Sequence, residues 1–126
     1  MRLDELLKEM DIAFFGTSQH GVGPDGTAAL IKNKDVFFLD VRTHEEYKFL
    51  QFPFTHHIPL NELPDRLEEV PKDKLIITFC SSIVRAAIAY TYLLEKGYEK
   101  VKIFLGTSEQ LATLLKPKPV YKNLLK

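Results

Sequence analysis

The sequence has one cysteine, no tryptophan and no excess of either charge. A single cysteine cannot form a disulfide within the chain, which favours a reducing, cytoplasmic location. Lysine plus arginine equals aspartate plus glutamate at 17 each, so electrostatics gives no argument for nucleic acid or an anionic membrane as partner. No apolar run approaches a membrane span. The first ten residues carry acids where an export signal would be apolar, so we expect neither membrane insertion nor secretion.

Apolar runs separated by helix-prone segments define the expected fold of this 126-residue chain. Residues 36–39, 75–79 and 101–104 are continuous apolar runs, typical of strands covered on both faces. Residues 57–59 favour a short edge strand, and the turn-rich residues 16–26 predict a loop. We therefore predict a single α/β domain with a central, mostly parallel sheet of about five strands, flanked by helices on both faces.

Cap signals place the predicted helices. Thr43-x-x-Glu46 and Thr107-x-x-Gln110 are capping boxes, and Gly97 suits the position after a helix end. The prolines at 117 and 119 are expected to end the helix that the second box opens. The predicted helices comprise residues 2–10, 24–31, 44–50, 61–69, 86–96 and 108–115, and residues 120–125 form a final helical turn or an ordered tail. Residues 12–15 are either a strand or a plug of the core.

Cys80 follows the apolar run at 75–79 and precedes a long helix-prone run. Backbone N–H groups of the connecting loop and the positive helix end converge on such a sulfur and stabilise a thiolate or persulfide there. The commoner fate of a lone cysteine is a buried structural role, and spacing alone leaves both interpretations open. Ligand sites of parallel sheets lie beyond the carboxyl ends of the strands, where Asp40, Cys80 and Gly106 all fall, and this favours a nucleophile.

Three stretches together resemble the rhodanese (sulfurtransferase) domain, in its single-domain type with a divergent active loop. They are Asp40-Val41-Arg42 with Glu46-Tyr47, then Ile58-Pro59-Leu60 with Glu62-Leu63, and then the six residues from Cys80 to Arg85. The resemblance divides the chain into an N-terminal extension packed on the domain, residues 1–20, and a rhodanese-like domain, residues 21–126. Phe14 and Phe15 of the extension are candidates for a homodimer contact.

The resemblance implies a sulfurtransferase. Cys80 would take the outer sulfur of a small-molecule or protein donor as a persulfide and pass it to a thiol or to cyanide. The implied active loop that binds the substrate consists of Ser81, Ser82, Ile83, Val84 and Arg85, with N–H groups around the outer sulfur. No cofactor is implied. The histidines show no ligand spacing with Cys80, so we expect no metal site either.

Asp40, Arg42 and Glu46 are expected to support the loop. Arg85 either binds an anionic donor or pairs with Asp40 and braces the loop, and the second role is favoured. Arg42 and Glu46, four residues apart, can pair as well.

Two other functions stay open. Ile83 stands where the family has glycine, and a β-branched residue restricts the backbone, so a non-catalytic rhodanese-like binding or regulatory module is the alternative. A Cys-dependent phosphatase or arsenate reductase is a minor alternative. The loop from Cys80 to Arg85 encloses four residues, one fewer than tyrosine-phosphatase-type sites, and holds no acid to protonate a leaving group.

Overall fold

The computed structural model describes residues 2–125 and shows helices alternating with short strands. The helices are α1 Arg2–Lys8, α2 Ile12–Gly16, α3 Pro24–Leu30, α4 His44–Phe49, α5 Val84–Glu95, α6 Ser108–Thr113 and α7 Pro117–Leu124. The strands are β1 Gly21–Val22, β2 Val36–Asp40, β3 Thr55–His57, β4 Leu75–Phe79 and β5 Val101–Phe104, and a 3₁₀ segment spans Leu60–Glu69. None of the helices in this part of the chain is long and apolar enough to cross a membrane.

The five strands form one parallel sheet in the order β1-β5-β4-β2-β3. The long apolar strands β4, β2 and β5 occupy the centre, while the short β1 and β3 lie at the edges. The predicted α/β fold with about five strands is confirmed. Since all strands run in one direction, their carboxyl ends share an edge, and Cys80 lies on it directly after β4.

Alternating strand residues bury two separate apolar clusters, one on each face of the sheet. Leu39, Ile76 and Ile103 join the cluster that packs under α5 and the 3₁₀ segment. Their chain neighbours Phe38, Ile77 and Phe104 join the cluster under α3 and α6. This arrangement explains why the central strands read as continuous apolar runs, and it confirms helices on both faces.

The predicted caps are present. Thr43 accepts from the Glu46 N–H, and the Glu46 carboxylate accepts from the Thr43 N–H in return. Thr107 and Gln110 form the same reciprocal pair at α6. Gly97 follows α5 with φ of 91°, in the left-handed region that glycine tolerates.

The structure corrects several local predictions. The predicted loop at 16–26 contains β1, which pairs with β5 although it is only two residues long. Of the two alternatives for residues 12–15, the strand is wrong, since they form most of the short helix α2. The edge strand predicted at 57–59 is β3, Thr55–His57.

The helix after Thr107 ends before Pro117 as predicted. The predicted final helical turn starts earlier than residue 120, because Pro117 occupies a first helical position, where proline lacks only an N–H that has no partner. The segment expected as a helix over 61–69 is 3₁₀, with Pro64 inside it and non-helical backbone at Arg66.

The N-terminal segment, residues 2–20, is held against α5 and β5. Arg2 Nε donates to the Leu94 carbonyl over 2.8 Å, and Lys102 Nζ donates to the Ser18 carbonyl over 2.8 Å. Phe14 is half-buried and packs on the α5 side of the core. These contacts describe how residues 2–20 are held, while the division at residue 20 stays a prediction.

Candidate active site

Cys80 is fully buried at the carboxyl end of β4, beneath its own loop. Its Sγ accepts the N–H of Ala86 over 3.3 Å and donates to the Ser82 carbonyl over 2.9 Å. Ala86 is the third residue of α5, and no side chain caps this helix. The sulfur therefore takes the place of a capping side chain, and the helix end favours negative charge at that sulfur.

The loop over Cys80 is anchored at both ends. Thr78 Oγ1 donates to the Ala86 carbonyl over 2.9 Å, tying the start of α5 to β4. The Ser108 N–H at the start of α6 donates to the Ser81 carbonyl over 3.1 Å. Between these anchors the side chains of Ser82 and Ile83 are exposed. The cover over the sulfur is thus a single stretch of chain, fixed at its two ends.

Ile83 does not require the backbone freedom of glycine. Its φ of −107° and ψ of −27° lie in the right-handed helical region, which branched residues adopt. The side chain is 42% exposed and does not plug the loop. The departure from the family glycine is therefore compatible with the loop conformation.

Arg85 pairs with Glu46, and the predicted pairing of Arg85 with Asp40 was wrong. Arg85 Nη2 lies 2.9 Å from Glu46 Oε2 and also donates to Ser81 Oγ over 2.8 Å, while Nη1 donates to Glu46 Oε1. Hydrogen bonds from Arg85 hold the pKa of the Glu46 carboxyl at about 2, and the carboxylate raises the pKa of Arg85. Glu46 therefore braces the loop through Arg85.

Asp40 binds Arg42 instead, so the predicted Arg42–Glu46 pair was also wrong. Arg42 Nη2 lies 2.7 Å from Asp40 Oδ2, and Nε lies 3.0 Å from Oδ1, with both side chains buried. The same Nη2 donates to the Leu50 carbonyl, and the guanidinium lies over the Phe52 ring at 5.0 Å. A buried charge needs such a full set of partners, which makes this pair a structural tie beneath the site.

Two histidines near β3 were not singled out from the sequence as site residues. His57 Nε2 lies 2.7 Å from the Arg42 carbonyl oxygen, and its ring stacks on Tyr47 at 4.1 Å. His44 Nε2 lies 2.6 Å from Glu62 Oε2. The only sequence signal that could have identified these two histidines was their closeness in the chain to the motif residues. Among residues 2–125, no group of three or more His, Cys, Asp or Glu side chains is arranged to hold a metal ion.

A cavity of about 480 Å³ opens at this edge and is bounded by Arg85. Its lining is formed by Val41, Thr43, His44, Glu45, Pro59, Leu60, Asn61, Glu62 and Arg85. Cys80 itself does not line the cavity. The structure thus brings the predicted site residues together around the Cys80 loop, with Asp40 and Arg42 one layer below.

Residues 24–112 match the family described as Rhodanese-like domain. A protein of Allochromatium vinosum named Sulfurtransferase is 33% identical over 72 residues, which are 57% of this chain and 67% of that protein. The Bacillus subtilis protein named Putative sulfurtransferase YtwF is 30% identical over 71 residues, covering 56% of this chain and 69% of that protein.

Solved structures agree with this assignment. The single-domain sulfurtransferase RDL2 of Saccharomyces cerevisiae is 27% identical, with a TM-score of 0.66 over 75% of this chain and 89% of that one. Bacillus anthracis CoADR-RHD is 38% identical with a TM-score of 0.68, over 76% of this chain, but this chain spans only 17% of that protein. With its matching motifs and five-stranded parallel sheet, the chain belongs to the rhodanese-like domain family.

Proposed function

We propose that the chain is a sulfurtransferase in which Cys80 carries sulfane sulfur as a persulfide and passes it to a thiol or to cyanide. The observation that carries the proposal is the position of the Cys80 sulfur. It caps the start of α5 by accepting the Ala86 N–H, where a thiolate or persulfide anion is favoured. Two relatives, each matched by this chain over at least two thirds of its own length, are named a sulfurtransferase and a putative sulfurtransferase. These names support the same chemistry.

The transfer consists of two thiol exchanges without net oxidation. The Cys80 thiolate attacks the outer sulfur of a donor, forming a new S–S bond while the donor's own bond to that sulfur breaks. The acceptor thiolate then attacks the outer sulfur and regenerates the Cys80 thiolate. The loop N–H groups of Ser81 to Arg85 are proposed to surround that outer sulfur, and Ser81 and Ser82 can add hydroxyl donors.

Burial of Cys80 sets a condition on this mechanism. The sulfur is fully covered and donates its proton to the Ser82 carbonyl, so the Ser82–Ile83 stretch has to move before a donor can reach it. The same burial favours the second candidate, a non-catalytic rhodanese-like binding or regulatory module. A phosphatase gains no support, because both terminal nitrogens of Arg85 already donate to Glu46 or Ser81.

Intact mass after incubation with persulfide donors and with thiosulfate tests the proposal. We expect one added sulfur atom on the wild-type chain, its removal by cyanide, and no addition to Cys80→Ala or Cys80→Ser. Because the chain has a single cysteine, these variants report on one site. Far-UV circular dichroism of the variants controls for folding. If no donor adds sulfur to the folded wild-type chain, the sulfurtransferase proposal fails. Fractionation of the host cell tests the proposed cytoplasmic location.

A further inference from the structure

The peptide bond between Ser82 and Ile83 turns its carbonyl oxygen toward the Cys80 sulfur. The thiol donates to this oxygen over 2.9 Å, and no backbone N–H of residues 2–125 donates to it. The carbonyls on either side are held, that of Ser81 by α6 over 3.1 Å and that of Ile83 by α5 over 2.9 Å. The Ser82 carbonyl can therefore turn while the carbonyls beside it keep their hydrogen bonds.

This orientation of the carbonyl suits only the thiol form of Cys80. A thiolate has no proton to donate, so the sulfur and the Ser82 oxygen would be two acceptors that face each other over 2.9 Å. The thiolate is nevertheless the form that attacks a donor, and an anionic sulfur is stabilised by N–H groups. A half-turn of the peptide supplies one, because it replaces the Ser82 carbonyl with the Ile83 N–H.

The side chain of residue 83 decides how readily this half-turn occurs. The turn changes φ of Ile83 by about 180°, from −107° in the closed loop to about +70°. That value lies in the left-handed region, which glycine adopts without strain and which is an outlier for a β-branched residue. At Ser82 the half-turn changes ψ, and ordinary residues adopt both helical and extended values of that angle.

We propose that Ile83 is a positioning residue that keeps the Ser82 carbonyl turned toward Cys80 and so slows the loading of sulfur. This inference rests on the proposed function, because loading is the step that the closed peptide slows. In that step the Cys80 thiolate bonds to the donor's outer sulfur, the donor's own bond to it breaks, and the donor thiolate leaves. The unloaded chain keeps Cys80 as a covered thiol until the peptide turns.

Ile83→Gly should raise the reactivity of Cys80 independently of any sulfur donor. The rate of alkylation by iodoacetamide is followed by intact mass and divided by the rate for the same chain unfolded in guanidinium chloride. We expect this normalised rate to be about tenfold higher than in wild type, because positive φ costs an L-residue about that factor in population. The variant is expected to fold, since residue 83 is the N-cap of α5 and glycine ranks well above isoleucine there.

Two control variants separate the backbone from other causes. Ile83→Ala removes the half-exposed side chain but keeps a Cβ and the cost of positive φ, so its normalised rate should stay within about threefold of wild type. Ser82→Gly places the same flexible residue where no positive φ is needed, and its rate should stay within about threefold too. If either control matches Ile83→Gly, the side chain is a simple cover or the loop is loosened generally, and the proposal is refuted.

Loading by the persulfide of 2-mercaptoethanol completes the test. The initial rate of sulfur addition to Cys80 should rise about tenfold in Ile83→Gly and should stay near the wild-type rate in both controls. If Ile83→Gly loads sulfur only at the wild-type rate, the role of Ile83 in loading is refuted while the sulfurtransferase stands. If Ile83→Gly is alkylated faster but no donor adds sulfur to any variant, the proposed function fails and the hold of Ile83 on the closed loop is confirmed.

Discussion

The pair formed by Glu46 and Arg85 makes stability depend on pH. The pKa of Glu46 is about 2 in the folded protein against 4.5 as its ordinary value. A carboxyl whose pKa is depressed by folding stabilises the native state fully above its unfolded pKa. That contribution is lost as the pH falls toward the folded value. The relevant window is therefore pH 4.5 down to about 2.

Glu46→Gln should remove this contribution. We expect the variant to be less stable than wild type by about 1 kcal/mol at pH 6, a modest value because both side chains are roughly a third exposed. The difference should shrink steadily below pH 4.5. Urea unfolding at several pH values measures it, with Glu68→Gln as the control, since Glu68 is exposed and outside the described ion pairs. A difference that stays constant down to pH 2.5 would contradict the assigned ionisation.

Single residues also show where sequence reasoning reaches its limit. The position of Cys80 at a strand end followed from the apolar run before it, because strand length and loop position are local properties. The partner of Arg85 did not follow, since Glu46 lies 39 residues away and only tertiary structure brings the two together. A spacing of four residues suggested that Arg42 pairs with Glu46. Arg42 pairs with Asp40 instead, because the buried carboxylate of Asp40 requires a buried cation.

At the scale of elements, strand β1 depends on one glycine. A Cβ at Gly21 would lie 2.8 Å from the Ile103 carbonyl oxygen and 2.6 Å from the Leu105 side chain. The backbone oxygen belongs to the paired strand and cannot give way without opening the β1–β5 pairing. Glycine is therefore required here by close approach and not by an unusual dihedral angle.

Gly21→Ala should destabilise the protein by about 1–3 kcal/mol, the usual cost of forcing extra atoms into a packed site. Urea or thermal unfolding measures the change. Gly16→Ala is the matched control, since nothing lies within 4 Å of a Cβ at this last position of α2. Alanine there should be neutral or slightly stabilising. Equal effects of the two substitutions would show that the close approach at Gly21 does not require glycine.

The same strand explains which elements were predictable. Strands β2, β4 and β5 are buried on both faces and carry an apolar run that identifies them locally. Strand β1 has only two residues, and they lie in a turn-rich stretch. They form a strand because they pair with β5, so no local sequence pattern predicts this strand. The capping boxes at Thr43 and Thr107 were predictable because they depend only on residues three apart.

Across the whole molecule, residues 2–20 pack against α5, with Arg2 hydrogen-bonded to the Leu94 carbonyl near the end of that helix. Phe14 lines a cavity there with Tyr90 and Tyr98, and it packs against the core cluster. Phe15 is 47% exposed and meets Phe14 edge-on at 5.1 Å. A homodimer through this segment stays a prediction, and it now depends on Phe15, because Phe14 faces the chain's own core.

Substituting these two adjacent rings one at a time distinguishes a packing role of Phe14 from an association role of Phe15. Phe14→Ala should lower the free energy of unfolding by about 2 kcal/mol, since a half-buried ring loses part of what full burial provides. Phe15→Ala should change it by less than about 0.5 kcal/mol. Because the chain has no tryptophan, unfolding is followed by circular dichroism and by tyrosine fluorescence, to which Tyr90 and Tyr98 beneath the segment contribute among five tyrosines. Coincident transitions would show that the segment unfolds with the domain, whereas an earlier fluorescence change would make it a separate unit. Light scattering gives the molar mass in parallel, and a dimer that Phe15→Ala dissociates would locate the association surface at α2.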